Sequence, residues 1–152
     1  MDIYPSNEAW KQAKAKLVGE LVSTERYKGR LSTGAVHLLE CLEFVSRLSK
    51  EFARLDCYAS MNSDKNLQDS KYLAMAQEVT QIDAMFGAAT SFIEPEILRM
   101  DQGTIESFIL QENRLEIYRH YLHDILRRKM HTGTESEEKN YRQCKCNDRK
   151  SV

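Results

Sequence analysis

Between Thr33 and Asn62 the apolar residues Ala35, Leu38, Leu42, Val45, Leu48, Phe52, Leu55 and Ala59 are separated by threes and fours, the spacing that lines up one face of an α-helix. Read as one element, this seam runs roughly 28 residues, or about 40 Å at 1.5 Å per residue. A helix of that length needs a long partner to cover it. The next string, "NSDKN", is rich in turn and cap formers, and from Leu67 a second series, Met75, Val79, Ile82, Phe86, Ala89 and Phe92, again steps mainly by threes and fours. The pattern predicts an antiparallel hairpin of two long helices. Within the second, the small residues of "FGAATS" include Gly87, whose cost in a helix suggests that a neighbouring helix approaches closely there.

Pro95 interrupts the second seam inside "SFIEPEIL". The residue before a proline is biased away from helical geometry, and proline itself favours the first helical position. The expectation is that Glu94 ends the long helix and Pro95 opens a short one. Asp101 and Thr104 can cap a helix over Ile105 to Gln111, and another runs over roughly Glu112 to Lys129, striped by Leu115, Tyr118, Leu122, Ile125 and Leu126. At the other end, Pro5 and Ser6 open an amphipathic helix carrying Trp10, Ala13, Leu17 and Leu21, with "ERYKGRL" as its exit. The sum is about five helices and no strand, an all-α bundle built on the hairpin and packed by the N-terminal helix and the Leu115 to Leu126 helix. From Thr132 the apolar spacing vanishes, which predicts a disordered tail.

Composition changes this picture little. The 152 residues carry 22 basic and 23 acidic side chains, a mixed surface that points to neither a nucleic acid nor a membrane partner. The N-terminus lacks the basic and apolar blocks of a signal peptide, so a cytoplasmic location and free thiols at Cys41, Cys57, Cys144 and Cys146 are expected.

Candidate chemistry is sparse. At 100° per residue, Glu116, His120 and His123 fall on one face of the last helix, and two histidines with a carboxylate are a zinc-type donor set. No second shell is evident, and Arg119 and Arg127 oppose a cation, so a solvated or partner-facing surface is the expectation and no metal site is assigned. The Cys144 and Cys146 pair lacks zinc-knuckle spacing. His131 suits the dipole of a helix end, His37 suits packing, and the basic run Arg127 to Lys129 suits a solvated helix terminus. The sequence contains no glycine-rich phosphate loop, no GxSxG and no HExxH.

Four phrases, in order and spacing, resemble the N-terminal helical region of oligoendopeptidase F, of the thimet-oligopeptidase-like zinc metallopeptidases: "YPSNEAW" from Tyr4, "YKGRLS" from Tyr27, "SFIEPEIL" from Ser91 and "YRHYLHDILRRKMHT" from Tyr118. The resemblance covers about residues 4 to 139, and the remaining 140–152 read as an unrelated tail such as a truncated or frame-shifted gene would give. It implies a helical domain over 1–139 that forms one wall of a channel restricting access to short peptides, with zinc and HExxH supplied elsewhere in the full-length family. By that implication this chain holds no cofactor and no catalytic residue, and it meets peptides only in the full-length context. Exposed apolar helix faces, those of the long hairpin first, would then favour a homo-oligomer. An independent self-associating helical module is the competing reading.

Overall fold

The structure, a computed structural model, describes residues 3–65 and 70–131. Among them run six α-helices, α1 (Asn7–Val22), α2 (Ala35–Lys65), α3 (Ser70–Thr90), α4 (Ile93–Arg99), α5 (Gln102–Gln111) and α6 (Arg119–His131), joined in places by 3₁₀ turns, with no strand. The all-α expectation holds. The supposed tail, its boundary at 139, Cys144 and Cys146 all lie outside the described residues.

α1 starts where Ser6 accepts a hydrogen bond from the Ala9 amide at 3.2 Å, an N-cap that satisfies one of the orphan donors of the first turn. Its buried face, Trp10, Leu17 and Leu21, lies against α2 and α3. The fully buried Trp10 indole donates to the Leu55 carbonyl at 3.0 Å, and Arg47 reaches Glu20 at 2.8 Å, so α1 and α2 run antiparallel. Lys14 pairs with Glu78, and Thr24 lies within reach of the Ala89 carbonyl, so α1 and α3 run parallel. Hence α2 and α3 are antiparallel, as the two seams require, and Phe52 stacks on Phe86 with centroids 6.0 Å apart.

α2 has 31 residues and serves two cores. Its later half, from Leu48 to Ala59, joins α1 and α3 in a three-helix cluster. Its first half, including Leu38, Leu39, Cys41 and Leu42, packs with Ile97, Ile105, Leu115 and Leu122 from the short C-terminal elements. Phe44 touches both clusters. Burial, and secondarily the Glu96 charge, pushes the Cys41 thiol up to about 12, which makes it an inert core residue, whereas Cys57 is exposed.

Four boundaries differ from the sequence expectation, the first being that α5 already opens at Gln102, capped by Asp101, rather than at Ile105. Helix α2 continues through Asn62, Ser63 and Asp64, where the Asn62 amide donates to the Tyr58 carbonyl at 2.9 Å and satisfies its polar group inside the helix. α3 stops at Thr90 and α4 already begins at Ile93, so Glu94 is helical and Pro95 sits within the first turn of α4. The proline ring excludes the carbonyl four residues back, that of Ser91, and the break falls there rather than beside the ring. Finally, Asn113–Tyr118 is a 3₁₀ turn entered through extended backbone at Glu112, and only Arg119–His131 is α-helical. α6 packs chiefly on α4, α5 and this turn, and reaches the hairpin through their shared core.

Between α1 and α2, Gly29 adopts φ +75°, a conformation that glycine alone takes without strain. The turn it makes is held from across the molecule. The Glu96 carboxylate on α4 accepts from the Gly29 amide through one oxygen and from the Leu31 amide, at 3.3 Å, through the other. Gly87, by contrast, does not mark a close helix approach: a β-carbon there would meet nothing within 4 Å. The glycine is a solvent-facing cost.

Both residues have measurable effects on stability. Gly87→Ala should raise the unfolding free energy by about 0.5–1 kcal/mol, read from urea or thermal melts, because it removes unfolded-chain entropy and meets no neighbour. Glu96→Gln keeps the shape but removes the charge that assists two amide bonds, and should lower stability by about 1–2 kcal/mol in the same melts.

Candidate functional site

The histidine-bearing face of α6 is the region the sequence singled out. A groove of about 640 Å³ runs between this face and the α4–α5 junction, lined by Met100, Asp101 and Gln102 on one side and by His120, His123 and Arg127 among others on α6. The junction is fixed by Asp101, whose carboxylate caps α5 by accepting from the Thr104 amide at 2.6 Å. That hydrogen bond holds the Asp101 carboxyl below the usual carboxylate range, helped by the Lys129 charge.

The trio Glu116, His120 and His123 is not brought together as ligands. Glu116 lies in the 3₁₀ turn, so the 100° periodicity that aligned it with the histidines does not apply, and it does not line the groove. Its carboxylate is already engaged, accepting from Arg119 Nε at 2.8 Å and Nη2 at 2.9 Å in a two-point fork. The Arg119 bond lowers the Glu116 pKa, and the same bond raises that of Arg119. Arg119 also reaches Glu106 Oε2 at 2.9 Å, and Glu106 Oε1 lies 2.6 Å from His123 Nε2, close enough for an ion pair though not aligned as a hydrogen bond. His123, Glu106, Arg119 and Glu116 thus form one chain of charge contacts. The donor set does not fit a metal, because an arginine occupies both carboxylates, and among the described residues no group of three His, Cys, Asp or Glu side chains is placed to hold one.

Glu106 is the member that sequence reasoning missed. It is the only charged residue in α5, and a lone charge on an otherwise uncharged helix was the available signal. The basic run Arg127 to Lys129 is absorbed locally: Arg127 pairs with Asp124 at 2.5 Å, Arg128 approaches Glu94 and Asp124 at 3.4 Å, and Lys129 donates to the Leu98 carbonyl at 2.7 Å. The Arg127 bond lowers the Asp124 pKa. His37 is half-buried with Nδ1 3.2 Å from Thr33 Oγ1, a local turn contact rather than core packing. The His131 side chain lies outside the described residues. What this face can do chemically is stay rigid: every strong charge on it is answered by a neighbour, and no nucleophile with an adjacent base is present in the groove.

Comparison with known proteins supplies what the geometry alone does not. The family model described as Oligopeptidase F matches residues 96–140. Oligopeptidase PepF of Bacillus subtilis (strain 168) is 33% identical over 138 residues, which is 90% of this chain and 20% of that protein. Group B oligopeptidase PepB of Streptococcus agalactiae is 28% identical over 136 residues, 90% of this chain and 23% of that protein. The crystal structure of oligoendopeptidase-F from Enterococcus faecium superposes with a TM-score of 0.74 at 28% identity, over 88% of this chain and 26% of that one. The chain fits an N-terminal fragment of oligoendopeptidase F.

The fold is shared more widely still, with a putative peptidase from Chlamydophila abortus at a TM-score of 0.71 and 24% identity. The chain spans only about a fifth to a quarter of the length of the relatives it matches. Among its described residues no helix is long and apolar enough to cross a membrane.

Proposed function

We propose that this chain is the non-catalytic helical wall of an oligoendopeptidase F-type metallopeptidase, the part that restricts access to short peptides, and that it works in the cytoplasm. One observation carries the reading. The likeness to the Enterococcus faecium enzyme runs through 88% of this chain yet takes in 26% of the enzyme, and the stretch concerned contains no HExxH. The α6 histidine face is built of mutually paired charges, and among the described residues no group of three His, Cys, Asp or Glu is placed to hold a metal. In this reading zinc and the catalytic base belong to the remainder of a full-length enzyme.

Expressed alone, the chain should leave a quenched fluorescent oligopeptide intact with zinc in the buffer. Cleavage that a chelator abolishes would overturn the reading. In a full-length relative, deleting the equivalent helices should raise cleavage of long unstructured polypeptides relative to short peptides. An unchanged ratio, with short-peptide cleavage retained as proof of folding, counts against a wall.

The second reading, a self-associating helical module, has its own support in exposed apolar residues. Those on the hairpin, such as Val36, Leu73 and Met85, are scattered, but Leu110 is 83% exposed and Ile117 76%, on the consecutive elements α5 and the 3₁₀ turn, followed by Tyr121 on α6. A second copy covering Leu110 and Ile117 should double the mass found by light scattering at micromolar concentration, and Leu110→Glu should restore the monomer. A monomer mass for the unaltered chain removes this reading.

A further inference from the structure

A second groove, of about 610 Å³, lies along α2 away from the α6 face. It takes in His37, Glu40, Phe44 and Arg47 from that helix, and is closed by Arg26, Tyr27 and Arg30 from the connector between α1 and α2. Its charges are arranged unlike those of the α6 face. Arg26 lies over the Tyr27 ring at 4.7 Å and the Phe44 ring at 5.0 Å, and Arg47 lies over the same Phe44 ring at 5.1 Å. Two guanidinium groups therefore share one aromatic ring. Arg47 is compensated by Glu20 at 2.8 Å. Arg26 gives one N–H to the Tyr27 hydroxyl at 2.6 Å and pairs with no carboxylate among the described residues, and the Arg30 side chain makes neither a hydrogen bond nor an ion pair with any of them.

Gathering like charges around a ring costs energy unless something of opposite sign completes the set, as carboxylates do for Arg119 and Arg127 elsewhere on this molecule. Arg26 is already immobilised by its two rings, so its remaining donors are oriented before any ligand arrives, which lowers the entropy lost on binding. The guanidinium fork matches the oxygen spacing of carboxylates and phosphates. Of the two acids in the groove, Glu43 is engaged by Arg114 at 3.4 Å, which leaves Glu40 as the one that opposes an anion. We propose that this groove binds a small oxyanion, a carboxylate or a phosphate, gripped by Arg26 and Arg30 with Arg47 as flanking charge.

The test is titration of the full 152-residue chain by calorimetry in low-salt buffer with inorganic phosphate and, separately, with citrate, each against sodium chloride at matched ionic strength. Saturable one-to-one binding of either anion beyond the chloride control is expected, phosphate alone identifying a tetrahedral ligand and citrate alone a carboxylate. Arg30→Gln changes an exposed side chain without structural contacts and should weaken binding at least tenfold, whereas Glu40→Gln should tighten it severalfold. If neither anion exceeds chloride, or if binding persists unchanged in the Arg26→Gln/Arg30→Gln double variant with helicity intact by circular dichroism, the proposal fails. None of these readouts depends on peptidase activity, so the site stands or falls apart from the wall reading.

Discussion

One constraint organises this molecule: a helix of 31 residues, about 46 Å long at 1.5 Å per residue, cannot be buried against a single short partner. α2 is stable in water only if its apolar face is covered along the whole length. The chain does this twice over. Two long helices cover the later half, and a coil of short elements covers the first. The changeover occurs at Phe44, where the neighbours switch from α1 and α3 to the elements after Pro95. The break ahead of Pro95 is therefore what lets the polypeptide leave the hairpin and turn back onto the first half of α2.

That return has to be registered, and the Glu96 carboxylate does so. By accepting from the amides of Gly29 and Leu31 it fixes α4 against the connector that leads into α2, two segments more than sixty residues apart in the chain. Gly29 supplies the left-handed backbone that turns one of those amides outward. Two of the four phrases that carry the family resemblance, "YKGRLS" and "SFIEPEIL", are the two ends of this contact. The motif is thus a packing device.

The long seams were legible because burial in a helix pair imposes a spacing that survives any detail of partner: Leu38, Leu48 and Leu55 are all fully buried where the periodicity put them. What failed to read were features decided by a single non-local contact. Gly87 looked like a site of close approach, yet only coordinates show that its side faces solvent. The proline was visible, but its effect reaches back to the carbonyl of Ser91, so the boundary was displaced. The supposed histidine and glutamate ligand face assumed one uninterrupted helix, and the 3₁₀ turn with its Arg119 fork dissolved it. Glu106 and Glu96 act across the fold; the lone charge on α5 marked the first, but no local pattern announces Glu96, whose partners lie in the connector ahead of α2.

The division of α2 between two clusters also bears on how the molecule loosens. Phe44 is half-buried and carries guanidinium groups on its surface, so the joint between the clusters is narrow and partly polar, with less apolar cement than either side. Fluctuations that detach α4 to α6 can expose the first half of α2 while Trp10, Leu55 and Ile82 remain packed. The split of the core implies amide exchange graded along one continuous helix, faster toward Ala35 and slower toward Ala59, with the rod itself as the boundary between two cooperative units.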